Sequence, residues 1–255
     1  MPGLIALFFV TALLYGAVGF GGGSTYSALL VLGGADYRAV PVVALACNII
    51  VASAGSWRFA RSGHVDWRRI WPFFALSIPF AWVGGRLVVA ETVFVGLLAV
   101  SLLAAGLLML WQPLWQREGP PRIASRWVEP AAGGALGFVA GLVGIGGGIF
   151  LAPLLYVLRW GSPRAIAGTC AVFILANSIS GLAGQLAKGA ADFGHLLAAY
   201  WPLCPAVLAG GLIGASLGSR RIDPRYVRIL TALLILYVAV RLAIRFYGET
   251  LGAAA

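Results

Sequence analysis

Charged side chains make up only 10% of this 255-residue sequence, and just eight of them are Asp or Glu. With no carboxylate deep in an apolar stretch, a carboxylate-clustered metal centre is excluded, as is intramembrane proton coupling of the usual kind. Histidine occurs twice, as His64 and His195, at different offsets from the aspartates nearby, which argues against a shared ligand role. HExxH is absent, so the common signature of a zinc hydrolase is missing; GxSxG spacing occurs once, at Gly214-Ala215-Ser216-Leu217-Gly218, at the end of an apolar stretch rather than at the strand-to-helix turn a serine nucleophile needs. Cysteine is scarce and odd in number: Cys47, Cys170 and Cys204 sit within apolar runs, without metal spacing or a disulfide framework, and read as small hydrophobes. No catalytic residue, no metal and no cofactor is expected, and the chain is not read as an enzyme.

What the sequence has instead is apolarity. At 61% hydrophobic residues it fits a polytopic integral membrane protein rather than a soluble domain with a large core. The net charge of +10 comes from basic residues lying between apolar stretches. Membrane orientation and anionic lipid account for such a pattern better than nucleic acid, which needs a continuous basic stripe. Met1 to Val18 lacks a basic leader and runs straight into a glycine cluster, so it is expected to stay in the mature protein rather than to be cleaved as a signal peptide.

Predominantly apolar stretches run from Leu4 to Val18, Tyr26 to Leu32, Val40 to Ala54, Trp71 to Val89 and Val93 to Leu110. The same order of long and short then returns at Ala131 to Val143, Ile149 to Leu158, Ala165 to Leu186, Leu196 to Leu217 and Val227 to Ala243. Local matches keep step with it: Arg38-Ala39-Val40 with Arg164-Ala165-Ile166, and Gly63-His64-Val65-Asp66-Trp67 with Gly189-Ala190-Ala191-Asp192-Phe193. Trp71-Pro72 then matches Trp201-Pro202 and Gly84 matches Gly214, after the second half has gained about one helical turn. An internal duplication in a polytopic chain is characteristic of transporters. It divides the protein into a first repeat (1–111), a polar linker (112–130) and a second repeat (131–255).

The duplication is organised by two glycine clusters, Gly19-Phe20-Gly21-Gly22-Gly23 and Gly144-Ile145-Gly146-Gly147-Gly148. Glycine lets a backbone leave helical geometry at membrane depth and approach a ligand closely. A helix restarting after such a break aims unpaired N–H groups and partial positive charge into the gap, which suits an anion. The competing reading is close helix packing, since each cluster also has GxxxG spacing. Glycines every four residues at Gly133, Gly137 and Gly141, and again at Gly210, Gly214 and Gly218, are packing faces first.

The apolar stretch after each cluster is too short to cross a hydrocarbon core, which takes about 20 helical residues. If these stretches turn back as hairpins, most basic residues gather on one side and only Arg38, Arg86, Lys188, Arg241 and Arg245 lie opposite. The expected fold is therefore an all-α polytopic membrane protein of two inverted-topology repeats, each a Gly-broken re-entrant helix hairpin plus about three transmembrane helices. Both termini are then outside the cytoplasm. Tryptophans at stretch ends, Trp57, Trp67, Trp71, Trp111, Trp115, Trp127, Trp160 and Trp201, read as interface anchors; Asp66 and Asp192 read as helix caps, and Arg86 as a snorkelling charge.

The doubled Gly-x-Gly-Gly-Gly element, each copy followed by a short apolar stretch and a downstream Gly-x-φ-Asp-aromatic element (φ apolar), resembles the TauE/SafE family of membrane permeases over Leu4 to about Ala243. The resemblance implies transport of small anions, especially sulfite and two-carbon sulfonates, across a bacterial cytoplasmic (inner) membrane. The second copy keeps the proline that often follows the motif, Pro153, where the first has Ala28.

A sulfite or sulfonate needs donors for three oxygens. Backbone N–H groups at Gly21, Gly22, Gly23 and Ser24 and at Gly146, Gly147, Gly148 and Ile149 can supply them, with the Ser24 and Thr25 hydroxyls in addition. Asn48 and Asn177, amides in otherwise apolar stretches near repeat-equivalent positions, are expected to line the site, with Thr169, Ser178 and Gln185 as further candidates. The expected function is a secondary transporter, an exporter as the resemblance implies, that exposes a midplane anion site alternately to either side; the alternatives are an anion channel or a non-transporting membrane subunit. Its partners are the small anion and the lipid bilayer, with a homo-oligomer allowed and no nucleic acid.

Overall fold

The computed structural model describes residues 1–18, 21–115, 127–189, 193–218 and 224–252, and among these every regular element is helical. In chain order they are α1 (Pro2–Val18), α2 (Gly23–Leu32), α3 (Ala39–Arg61), α4 (Trp67–Arg86), α5 (Glu91–Trp115), α6 (Val128–Val143), α7 (Gly148–Val157), α8 (Pro163–Ala187), α9 (Phe193–Tyr200), α10 (Leu203–Gly218) and α11 (Pro224–Gly252). Gly19, Phe20, Asp192 and most of the linker (116–126) lie outside the described residues.

The helix ends follow local chemistry. The Asp66 side chain caps α4, accepting from the Arg69 backbone N–H at 3.2 Å, as its place before an aromatic suggested. Ser162 caps α8, accepting from Ala165 N–H at 3.3 Å, with Pro163 at the first turn, where its missing N–H costs nothing. At the far end of α6 the left-handed Gly144 (φ 82) stops the helix, a conformation that resists any side chain with a Cβ.

Several elements are longer than their apolar stretches. The third stretch continues through Gly55, Ser56 and Trp57 to Arg61, because polar residues at a membrane surface extend a helix that propensity alone permits. The stretch from Leu196 to Leu217 is instead split: α9 and α10 meet at Trp201-Pro202, bent by 58°. Its counterpart α4 carries the same dipeptide at Trp71-Pro72 yet continues through it and through Pro79. The added turn of the second half is accounted for here: Trp67 to Ile70 precede the dipeptide in α4, whereas all eight residues of α9 precede it in the second half.

Among the described residues, three helices are by length and composition apolar enough to cross a membrane, within Ala39–Arg61, Glu91–Trp111 and Pro163–Ala187, or up to four if α9 and α10 form one bent span. That is fewer than the expected three or so per half. Helices α1 and α6 stop short at the glycine breaks, and α4 carries Arg68, Arg69 and Arg86.

The two halves interlock rather than standing side by side. Helix α1 of the first half packs along α10 of the second, and α6 of the second along α4 of the first; α3 pairs with α8, and α5 with α11. Small residues make this possible: Gly133, Gly137 and Gly141 of α6 lie on the backbone carbonyls of Phe73, Ser77 and Ala81, leaving no room for a Cβ. Gly210 and Gly214 of α10 ride in the same way on the Phe9 and Leu13 carbonyls of α1. Between apolar helices in lipid there is no hydrophobic gain from association, so such close backbone approach and its dispersion contacts hold the pairs.

Trp57, Trp67, Trp71, Trp111, Trp127 and Trp201 are exposed, as interface anchors should be. Trp160 departs from that expectation. It is only 3% exposed, edge-on to Phe73 at 5.4 Å, with the Arg69 guanidinium 4.2 Å from its ring centroid and donating to its carbonyl at 2.5 Å. A stretch end places a tryptophan near the interface; packing across the halves has covered this one.

Candidate functional site

Both glycine clusters interrupt helices, and the two breaks meet. A Cβ placed on Gly21 would lie 2.6 Å from Asn48 Oδ1 and 2.8 Å from the Ile174 side chain. One placed on Gly146, in the other half, would lie 2.7 Å from Asn48 Nδ2, 3.1 Å from Ile174 and 3.2 Å from Ser178 Oγ. Gly23 abuts Asn48 and the Ile145 carbonyl, and Gly148 abuts Ile174. The breaks therefore converge on one locus, flanked by Asn48 from α3 and Ile174 from α8, the pair of helices that crosses between the halves. No atom larger than hydrogen fits on these glycines without displacing that core.

The helices that restart after the breaks, α2 and α7, have no side-chain cap at their N-termini, Gly22 and Gly147. Their first turns are buried: Gly23, Ser24 and Thr25 in α2, and Gly148 in α7, with Ile149 half-buried. Two uncapped, buried N-terminal ends place partial positive charge at the same locus without a buried cation. Ser27 ties the breaks together, its hydroxyl donating to the Val143 carbonyl at 3.3 Å, at the last residue before the second break.

The polar side chains expected at the site are all buried, but they fall into two groups. Asn48 lies between the breaks; its Nδ2 donates to the Ile145 carbonyl at 3.3 Å, and its Oδ1 has no hydrogen-bond partner. Ser178 Oγ, beside Gly146, is also unpartnered. Thr25 pairs with the Tyr15 hydroxyl at 2.9 Å on the α1 side. Asn177 instead joins α8 to α4: its Oδ1 accepts from Ser77 Oγ at 2.6 Å, and its Nδ2 donates to the Phe173 carbonyl at 2.9 Å. Gln185 donates to the Gly141 carbonyl at 2.9 Å, and Thr169 is buried within α8. Asn177 and Gln185 thus stand in interhelical bonding, while Asn48 and Ser178 face the breaks.

Sequence reasoning paired Asn48 with Asn177 because both are amides. The spacing that pairs Arg38 with Arg164 pairs Asn48 with Ile174, and Ile174 is the residue found opposite it. Strict repeat spacing, rather than residue type, was the signal for that position. Tyr15 and Ser27 carried no comparable signal.

A small cleft of about 20 Å³ lies on the α2–α3 loop side, lined by Tyr37, Arg38, Pro41, Leu142 and Lys188 among others. Pro41 abuts Gly144, so the cleft adjoins the second break. Lys188, the sole lysine of the chain, donates to the Leu87 carbonyl at 3.4 Å. Burial first, and the nearby Arg38 second, hold its amine below the ordinary lysine value. Arg38 and Lys188, grouped by charge distribution alone on the sparsely basic side, do come together there. On the other face a wider cleft of about 630 Å³ is lined by His64, Asp66, Arg68 and Ser162. Among the described residues no group of His, Cys, Asp and Glu is arranged to hold a metal.

The chain belongs to the sulfite exporter TauE/SafE family, whose model matches residues 4–242. A probable membrane transporter protein of Sinorhizobium fredii is 35% identical over 243 residues, covering 94% of this chain and 97% of that one. A probable membrane transporter protein of Methanocaldococcus jannaschii is 26% identical over 248 residues, covering 90% of each. No solved structure matches the chain significantly. The protein is accordingly an integral membrane protein of a transporter family.

Proposed function

We propose that this TauE/SafE-family chain is a secondary transporter, an exporter, of a small oxyanion such as sulfite or a two-carbon organosulfonate. The site is the locus where the two breaks meet. That convergence is the observation that carries the reading: glycine clusters far apart in sequence lie against the same Asn48 and Ile174, with two uncapped helix N-termini beside them. A pair of such ends stabilises negative charge, and backbone N–H groups match the several oxygens of a sulfite or sulfonate without a buried cation. The family's printed description and the relatives' names support transport, and the absence of carboxylates in the apolar stretches directs the choice toward an anion.

In this reading the halves are inverted-topology repeats whose broken segments enter as hairpins from opposite faces of a bacterial cytoplasmic membrane. The reciprocal packing supports it: α1 on α10 mirrors α6 on α4, α3 pairs with its own counterpart α8, and α5 with α11. Helices that pair across the halves through glycine ridges can slide with little change in contact, which suits alternating exposure of a site held between them. A thermal-shift screen of the purified protein against small anions tests the assignment, because a ligand that binds only the native state raises its apparent stability. Sulfite or a small sulfonate should raise the transition temperature, and counterflow of the same anion should saturate in proteoliposomes. A protein stabilised by no anion in the panel would overturn the reading; conductance without exchange would make it a channel.

A further inference from the structure

The locus between the breaks offers donors, with one exception. The N-terminal ends of α2 and α7, without side-chain caps, carry partial positive charge, and the Ser178 hydroxyl can donate. Asn48 Oδ1 is different: it is an acceptor only, it belongs to a side chain of 0% exposure, it faces Gly21, and it has no partner. Its orientation follows from its neighbour. Asn48 Nδ2 is bound to the Ile145 carbonyl at 3.3 Å, and turning the amide over would set two acceptors face to face. The carbonyl thus fixes the acceptor toward Gly21 at the first break.

A buried acceptor left unmet is penalised, and a fully deprotonated oxyanion makes the penalty worse, because every oxygen it brings is another acceptor. An oxyanion that retains one acidic O–H meets both demands. Its charged oxygens take the N–H ends and the Ser178 hydroxyl, and its O–H donates to Asn48 Oδ1. We infer that the site selects the singly protonated form of its oxyanion, reading the proton through Asn48 Oδ1. For sulfite this is hydrogen sulfite, formed when the dianion takes a proton from solution on the loading side and releasing that proton on the other. Each anion then carries one proton with it, although no intramembrane carboxylate is present to relay one. The inference rests on the anion-transport reading above. It narrows that reading to oxyanions that keep one acidic O–H, such as hydrogen sulfite; a sulfonate monoanion has none and is disfavoured.

The second half lacks the device. Ile174, at the spacing equivalent to Asn48, presents only methyl and methylene groups to Gly21, Gly146 and Gly148. One acceptor among several donors is therefore a property of the first half, and the proton is read from one side of the locus.

The test uses two tetrahedral monoanions of the same shape, methylphosphonate and methanesulfonate, at a mildly acidic pH where each carries one negative charge and only the first has an O–H. With the purified full-length protein, methylphosphonate should bind about tenfold more tightly, the worth of one hydrogen bond to a buried group. In Asn48→Leu the two should bind within about twofold of each other, and Ser178→Ala should weaken both alike. Equal affinities in the native protein, or a preference that survives Asn48→Leu, would overturn the inference while leaving the anion site standing. Binding of neither would overturn the anion reading and this inference with it. Sodium chloride raising the transition temperature above that in choline chloride in the native protein, but not in Asn48→Leu, would assign Asn48 Oδ1 to a cation instead, and would equally overturn it. If Asn48→Leu fails to fold, the comparison of the two ligands in the native protein still decides.

Discussion

At the second break the backbone turns through Gly144, Gly146 and Gly147, with φ of 82°, 80° and 77°. At the first, Gly22 has an ordinary φ of −92° and no described residue takes a positive φ. The side chains differ in the opposite sense. Helix α2 starts Gly-Ser-Thr-Tyr-Ser, with Asn48 against it, while α7 starts Gly-Ile-Phe-Leu-Ala-Pro, with Ile174 against it. One break supplies polar side chains on a relaxed backbone; the other supplies bare backbone in a conformation open chiefly to glycine. A duplicated site need not be a symmetric one. If the two breaks hold a common solute, as proposed, each needs to provide only part of the contacts, and sequence drift can divide the task.

The comparison is most easily broken at the second break. Gly146→Ala adds a left-handed penalty of about 1–2 kcal/mol to a Cβ lodged against Asn48 and Ser178, so transport should fall below detection and the transition temperature should drop. Gly22→Ala, free of the φ penalty but crowding the Tyr26 ring, should cost less stability; equal losses in both would erase the distinction. Leucine at Gly147 compounds φ 77° with contact to Phe173, and should reduce folded yield as well as uptake.

A second variant tests the side-chain half of the contrast. Ile174→Asn places a second amide at the locus without a partner assured for it, and should destabilise the fold by about 1–3 kcal/mol. A stable variant with tighter anion binding would mean that the two sides are interchangeable. Next in size are Ser77→Ala and Asn177→Ala, which should each lower stability by about 1 kcal/mol through the lost α4–α8 hydrogen bond. A fall in anion affinity at unchanged stability would return Asn177 to the site.

The smallest effect is expected at the mouth. Lys188→Gln should raise the half-saturating concentration of anion supplied in counterflow from the Arg38–Lys188 face by about two- to fivefold at low ionic strength and less at high salt, because it removes an attracting charge on that face without altering the breaks. The amine of Lys188 is held below the ordinary lysine value, so its charge is present at lower pH and is lost earlier than usual as pH rises through that lowered value. Native capture should weaken over that range, whereas Lys188→Gln should lack that component of the pH dependence.

Much of this was legible in the residues. Glycine clusters interrupting apolar runs announced helix breaks, because glycine lets a backbone leave helical geometry, although their GxxxG spacing also allowed a packing face. Asp66 announced a cap, and the regular glycines of α6 and α10 announced packing ridges. Trp160 misled, since position along the chain does not reveal what the other half lays over it. Asn177 was grouped with Asn48 by residue type, although its amide is engaged by Ser77 across a helix pair that no local pattern encodes.

The sequence by itself determined an apolar, all-helical chain, its twofold internal likeness and the helix breaks at the two glycine clusters, because these follow from composition, periodicity and glycine's missing side chain. Only the tertiary structure decided that the halves interlock, that both breaks abut Asn48 and Ile174, and that one amide oxygen is left unpaired between them. Those facts depend on which helix crosses which, and between equally apolar helices that choice is made by shape and close contact rather than by hydrophobicity.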